Sequence, residues 1–341
     1  MTRKTTLEDI ARAAGVSLAT VDRVVNRRGG VSARAEARVL EWCVKLDLDR
    51  RMPRAHLRLL RIGILMPSPA NPFFEALRDS FQALDPVARE MSMRCHIHHL
   101  APREASATAR RVRDLAQDYD GLIICSPDHP EVSAAVDEAL ARIPVVTIVN
   151  DLPSSGRIAY VGPDNLRMGR VAAELMGRFI GPAGGEVLIL LGMRLFAGHR
   201  QRGIGFRRVM ETRFPACRVL DPLESEEDDS RAAQVVARAL GHHPDVRGIY
   251  NTTWGNRGIM AELRARSRAG EVVLVTHELT RIRRKMLGAG EIDAVLDQNP
   301  ALEARRALDI IAGHFNRAAP GAPAEGETPF DIVLSESCAP L

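Results

Sequence analysis

Arginine is the side chain best suited to recognising guanine, through a bidentate pair of hydrogen bonds in the DNA major groove, and Arg23 stands where a protein would place one for that purpose. Residues 6–32 read TLEDIARAAG, VSLATVDRVVN and RRGGVS. Leu7, Ile10, Ala11 and Ala14 recur at helical spacing and stop at Gly15, a residue that commonly ends helices. Ser17 can cap a second helix whose inward residues are Ala19 or Thr20 with Val21, Val24 and Val25, which leaves Leu18, Ala19, Asp22 and Arg23 on the outward arc. Leu18 and Ala19 offer apolar contact, for example to a thymine methyl. Thr6, Ser17, Thr20, Asn26 and Ser32 lie at helix starts or turns, where hydroxyls, amides and nearby backbone N–H groups can hold phosphates. A third helix, capped by Ser32, would bury Ala35, Val39, Trp42, Cys43 and Leu46. Together these elements predict a helix-turn-helix domain over 1–48, with double-stranded DNA as partner. The competing reading is a small helical domain with ordinary caps and a solvated basic face.

Charge distribution separates the two readings. The 341 residues carry a formal charge of only +4, yet residues 1–61 hold 14 Lys/Arg against 7 Asp/Glu, whereas 62–341 hold 33 against 36. A basic front end ahead of a slightly acidic body fits a polyanionic partner. Residues 49–61, DRRMPRAHLRLLR, read as a hinge or linker interrupted by Pro53. Cys43, Cys95, Cys125, Cys217 and Cys338 are odd in number and scattered, which argues for reduced thiols rather than a disulfide framework or a zinc site. The absence of a long apolar run and of a signal-peptide core leads us to expect no membrane partner and a cytoplasmic location.

From Ile62 the rhythm changes. Short apolar runs at 62–66, 95–100, 121–125, 144–149, 186–191, 217–220, 248–251, 271–276, 294–298 and 331–334 alternate with amphipathic stretches of helix length. That pattern predicts an α/β fold with doubly wound parallel sheets, and about ten strands are more economically housed in two similar lobes around a cleft than in one sheet. Enzyme motifs are missing: there is no G-x-G-x-x-G between the first strand and helix, no P-loop, no H-E-x-x-H and no G-x-S-x-G. We therefore expect no enzyme activity and no cofactor. The HIHH run at 96–99 places His96 and His98 on one strand face and His99 on the other, a poor metal set, and ESEEDD at 224–229 reads as a solvated loop and helix start.

The stretch TLEDIARAAGVSLATVDRVVNRRGGVS resembles the DNA-binding domain of the lactose-repressor (LacI/GalR) family, and the resemblance continues over nearly the whole remaining chain through NPFF at 71–74, VGPDNLRMG at 161–169, HRQRGIGF at 199–206 and DQNP at 297–300. It implies base reading by Leu18, Ala19 and Arg23 and backbone contacts by Thr6, Ser17, Thr20, Asn26 and Ser32. It also implies a periplasmic-binding-protein-like effector domain over 62–341, with lobe 1 at about 62–161 and 292–318 and lobe 2 at about 162–291 and 328–336. Asn71, Phe73 and Phe74 would line one lobe, Arg202 would be the principal donor from the other, and Asn150, Asp151, Asp164, Asn251 and Gln298 would complete a polar ring for a sugar or polyol. Trp254 could stack on a sugar ring or serve packing, Phe73 and Phe74 could equally be core, and Arg202 could be a structural ion pair. Asp22 departs from the family's usual serine, and a carboxylate near phosphates costs affinity unless Arg23 or Arg27 offsets it. Leu57 is the candidate for a minor-groove wedge on a hinge helix, against an irregular basic tether. His277-Glu278 and Val149-Asn150-Asp151 differ from the family's usual aspartates, so the sugar stays unnamed. The resemblance further implies a repressor of a carbohydrate operon. A single recognition helix reads few base pairs, so a homodimer on a near-palindromic operator is expected.

Overall fold

The computed structural model describes residues 5–26, 28–46, 48, 58–319, 321–322 and 325–338. Arg27, Pro53 and Leu57, and with them most of the expected hinge, lie outside the described residues. Two compact units result: residues 1–59 with 90–92, and residues 60–89 with 93–341.

In the first unit, α1 (Leu7–Ala14), α2 (Leu18–Val25) and α3 (Ala33–Lys45) follow the three expected helices. Thr6 and Asp9 form a reciprocal capping box on α1, and Gly15 ends it at φ 60°, a conformation that costs glycine little. Ser17 accepts from the Thr20 amide at 3.1 Å and starts α2. Ile10, Ala14, Val21, Val24, Val39 and Cys43 form the small core, and Trp42 and Leu46 pack half-buried against it.

The second unit begins with β1 (Leu60–Pro67), α4 (Pro72–Ala83), α5 (Asp85–Glu90), β2 (Met93–Leu100), α6 (Ala105–Asp118), β3 (Gly121–Ile124), α7 (Pro130–Leu140), β4 (Val145–Ile148) and β5 (Ala159–Val161). It continues with α8 (Asn165–Ile180), β6 (Gly185–Leu191), α9 (Ala197–Arg213), β7 (Cys217–Val219), β8 (Leu223–Glu224), α10 (Asp229–His242), β9 (Val246–Asn251), α11 (Asn256–Ala265), β10 (Val273–His277), α12 (Arg281–Gly288), β11 (Ala294–Asp297), α13 (Pro300–His314) and β12 (Asp331–Val333). Every strand expected from the apolar runs is present. The sequence pattern missed β5 and β8.

The first sheet runs β2-β1-β3-β4-β5, all parallel. The second runs β12-β11-β10-β9-β6-β7 and is parallel apart from β12, with β8 paired to β6 off that path. Both sheets therefore repeat the doubly wound order 2-1-3-4-5, which opens a crevice at the carboxyl ends of the strands where the order reverses. The expected return to lobe 1 at 292 is corrected: β11 pairs with β10 and belongs to lobe 2, so the chain crosses back at Gln298-Asn299, and α13 supplies the lobe 1 helix.

The segments VGPDNLRMG and HRQRGIGF acquire a packing role in this fold. Where α8 crosses α9, a Cβ on Gly169 would lie 2.0 Å from the Arg202 carbonyl oxygen and one on Gly205 would lie 2.1 Å from that of Leu166. The opposing atoms are helix backbone and cannot move aside as a side-chain tip could. We expect Gly169→Ala and Gly205→Ala each to destabilise the second unit by about 1–3 kcal/mol through overpacking, measured as a lower urea midpoint at unchanged m-value.

Candidate nucleic-acid interface and ligand cleft

On α2 the apolar residues face α1 and α3, so Leu18 (44% exposed), Ala19, Arg23 and Asn26 face outward. The Arg23 guanidinium has no partner among the described residues. The hydroxyls of Thr6 and Ser17 serve as helix caps, and Ser32 accepts weakly from the Ala35 amide at 3.4 Å. Asp22 does not bind Arg23; it pairs with Asn26 and Arg28.

In the second unit the loops at the carboxyl ends of the strands converge on a narrow cleft, with a cavity of about 30 Å³, lined by Asn71, Phe73, Phe74, Val149, Asn150, Phe196, Gly198, His199, Arg202, Glu227, Thr253, Glu278 and Gln298. Pro72 opens α4, so Asn71 caps it by accepting from the Phe73 amide at 2.9 Å and turns its own amide across the cleft to Glu227 Oε2 at 3.2 Å. Phe73 and Phe74 are buried in edge-to-face contact, with centroids 5.4 Å apart.

Arg202 forms the base of the cleft at 3% exposure. Its Nε donates to Asn165 Oδ1 at 2.8 Å, Nη1 to the Thr252 carbonyl at 2.9 Å and Glu278 Oε1 at 3.1 Å, and Nη2 to Gln298 Oε1 at 3.2 Å. Gln298 closes the ring by donating to Glu278 Oε1 at 2.9 Å. A guanidinium has five N–H donors, and four are thus committed to the protein. Arg202 thus stands in the cleft, as the resemblance implies, with most of its donors engaged by neighbouring residues.

Lobe closure is recorded by polar links. Asn150 Oδ1 accepts from the Gly198 amide at 3.0 Å, satisfying an N–H that the first turn of α9 would otherwise leave unpaired. Asp128 joins Arg200 at 2.8 Å and the Leu195 carbonyl at 2.9 Å, and Arg103 joins Glu226 at 2.6 Å. Val149, Glu227 and Glu278 hold φ of 66°, 60° and 57°, a left-handed conformation that non-glycine residues adopt at a cost and that clusters at functional sites.

Three expected ring members, Asp151, Asp164 and Asn251, and the stacking candidate Trp254 lie outside the cleft lining. Asp151 is held by Arg157 at 2.5 Å and Thr147 at 3.0 Å. Asp164 caps α8, accepting from the Arg167 amide. Asn251 is buried and organises its own loop through the Thr253 and Trp254 carbonyls and Asn256. Trp254 lies against the guanidinium groups of Arg257 and Arg283, 5.6 Å from each. In their place stand Glu227, Glu278, His199, Phe196 and Thr253. Thr253 Oγ1 donates to Glu227 Oε1 at 3.0 Å, and burial raises the Glu227 pKa against the opposing effect of its hydrogen bonds from Asn71 and Thr253. Burial, then the positive Arg202, pushes His199 down to about 3, so its ring is neutral. Glu227 belongs to the ESEEDD run read as a solvated loop; it reaches the cleft because β8 carries that loop to the same sheet end as the others. The unusual residue at 278 was the one sequence signal pointing to Glu278.

A helix-turn-helix unit and a two-lobed polar cleft in one chain define a ligand-responsive DNA-binding regulator. Residues 62–317 match the periplasmic binding protein domain and residues 6–47 the bacterial regulatory proteins of the lacI family; over most of its length the chain belongs to the periplasmic binding protein domain family, and it carries a lacI-family domain ahead of it. It is similar to the D-ribose/D-allose-binding protein of Pseudomonas aeruginosa, 28% identical over 81% of this chain and 89% of that one. It is likewise similar to the ribose operon repressor of Halalkalibacterium halodurans, 28% identical over 72% and 71%. In fold it matches a solute-binding protein from Burkholderia graminis in complex with D-arabinose, with TM-score 0.74, 22% identity, and coverage of 82% of this chain and 96% of that one. Among the described residues no helix is long and apolar enough to cross a membrane.

Two outcomes follow from the buried charges. Arg202→Ala leaves Glu278 and Gln298 without their partner and should destabilise the second unit by about 3–5 kcal/mol, read by urea unfolding. Glu303, fully buried in the first turn of α13, has no hydrogen-bond partner for either carboxylate oxygen among the described residues. Burial first, then Glu278 and Asp297, hold its pKa well above the usual carboxylate value, with Arg202 opposing. The native state therefore binds a proton that the unfolded chain gives up near the ordinary carboxylate pKa, and stability falls as pH rises from there through the folded pKa. Glu303→Gln should flatten that decline in urea midpoints compared between pH 5 and 9; an identical slope in the variant would remove Glu303 as its source.

Proposed function

We propose that this regulator is a homodimeric repressor of a carbohydrate uptake or catabolic operon, holding a near-palindromic operator and released when a sugar or polyol binds in the cleft. The observation that carries the reading is the unpartnered Arg23 on the exposed face of a lacI-family helix, in one chain with a polar, aromatic-lined interlobe cleft. Arg23 reads guanine, Leu18 and Ala19 supply apolar base contact, and Thr6, Ser17, Thr20, Asn26 and Ser32 bring their helix starts and turns against phosphates. Leu57 is the minor-groove wedge.

In the cleft, Phe73, Phe74 and Phe196 offer apolar surface to C–H groups, while Asn71, Asn150, Glu227, Glu278 and Gln298 exchange hydrogen bonds with hydroxyls. Arg202 acts chiefly by holding Glu278 and Gln298 in place and offers its remaining N–H. Relatives named for ribose, allose and sucrose support a carbohydrate as effector. The effector shifts DNA affinity by its differential affinity for the closed and open arrangements of the lobes.

A gel shift on the gene's own upstream region, with and without candidate sugars, tests the whole reading. Arg23→Ala should abolish operator-specific binding and leave weak, salt-sensitive binding; unchanged operator affinity would displace α2 as the reading helix. Asn150→Ala removes a cap on α9 that exists only with the lobes closed, so it should weaken effector affinity by about 1 kcal/mol, roughly 5-fold, with operator affinity intact, as read by calorimetry and gel shift. Deleting the gene should raise transcription of a neighbouring carbohydrate operon, and a fall would point to an effector-dependent activator.

A further inference from the structure

The outward face of α2 carries one carboxylate, Asp22, on the same stripe as Leu18 and Asn26. Both its oxygens are engaged. Asn26 Nδ2 donates to Oδ1 at 2.6 Å and Arg28 Nη1 to Oδ2 at 2.9 Å. Arg28 is brought back to the helix by its amide, which donates to the Arg23 carbonyl at 2.9 Å. The pair is open to water, with the Arg28 side chain 66% and that of Asp22 35% exposed, and an exposed pair of this kind adds little to folding stability. Its consequence lies in what the face offers a polyanion: Arg23 stands unpaired, whereas Arg28 arrives already neutralised.

We propose that Asp22 is a specificity-determining residue that keeps Arg28 from acting as a general phosphate ligand. This rests on the DNA-binding reading above. For Arg28 to reach a phosphate it must leave Asp22, which strips the carboxylate of its counter-charge beside the DNA, so the pair contributes no net cation to binding. Phosphate contacts strengthen binding to every sequence alike, while base contacts distinguish among sequences. Cancelling one phosphate-seeking cation lowers affinity for arbitrary DNA and leaves the hydrogen bonds of Arg23 to discriminate.

The test uses the full chain and a 30-base-pair duplex of arbitrary sequence, with binding followed by fluorescence anisotropy across a series of monovalent salt concentrations. Asp22→Asn should steepen the dependence of log affinity on log salt by about 0.9 per headpiece and tighten binding about 8-fold per headpiece at 0.1 M salt, the counter-ion release of one added cation. Arg28→Ala alone should leave the salt slope unchanged, because the paired Arg28 adds no phosphate contact, while weakening binding through the bared Asp22 carboxylate; Arg28→Ala in the Asp22→Asn background should restore the wild-type slope. Misfolding cannot imitate a gain of binding that a second substitution reverses. An unchanged slope in Asp22→Asn, or an equal loss of slope on removing Arg28 from either background, overturns the role of Asp22. Weaker binding by Asp22→Asn also overturns it and identifies the carboxylate as itself an acceptor from a base amino group. Failure of the wild-type chain to bind any duplex overturns the DNA-binding reading and this one with it.

Discussion

A guanidinium almost shut off from water must find its hydrogen bonds inside the protein, and the cleft is arranged around that requirement at Arg202. Its partners come from Asn165 at the start of α8, Thr252 after β9, Glu278 after β10 and Gln298 after β11. One side chain thus ties together several strand ends and the segment where the chain returns to the first lobe. A buried ion pair adds little net stability compared with apolar packing, because desolvation offsets the attraction. What it supplies is a fixed arrangement: Glu278 and Gln298 have one low-energy placement while Arg202 is between them.

That arrangement depends on backbone proximity. Arg202 reaches the ring because α9 lies directly on α8, and the crossing is close because Gly169 and Gly205 present no Cβ to the facing carbonyls. The left-handed residues Val149, Glu227 and Glu278 then turn their loops into the cleft. Strain of this kind persists where surrounding bonds over-determine it, and here those bonds include links between lobes, Asn150 to Gly198 and Asn71 to Glu227. A ligand with several hydroxyls would compete for the same donors and acceptors, so recognition and closure use one set of groups.

Much of the fold was legible in the sequence. The helices of the first unit and ten strands of the second are visible because burying one face imposes a period of 3.6, and burying both faces of a parallel strand produces a continuous apolar run. The boundary between lobes was less legible, because β11 is as apolar as any other strand and nothing local says which sheet it joins. Within the site, Asn71, Phe73, Phe74, Asn150, Arg202 and Gln298 were found and do line the cleft. Asp151, Asp164, Asn251 and Trp254 have suitable chemistry and lie near suitable strand ends, yet each is occupied by a neighbour: Arg157, the α8 amides, the 253–256 loop and two arginines respectively.

The sequence by itself determined that a small basic helical unit precedes a doubly wound α/β body, and that Arg23 lies on the outer face of the second helix. Those conclusions rest on periodicity and charge, which are local properties of the chain. Only the tertiary structure decided that Arg202 is mostly spent on its neighbours, Glu278 and Gln298 among them, and that Glu227 leaves an acidic run to meet Asn71. A polar side chain takes whichever partner the fold brings within about 3 Å, and that distance is set by residues far away in sequence.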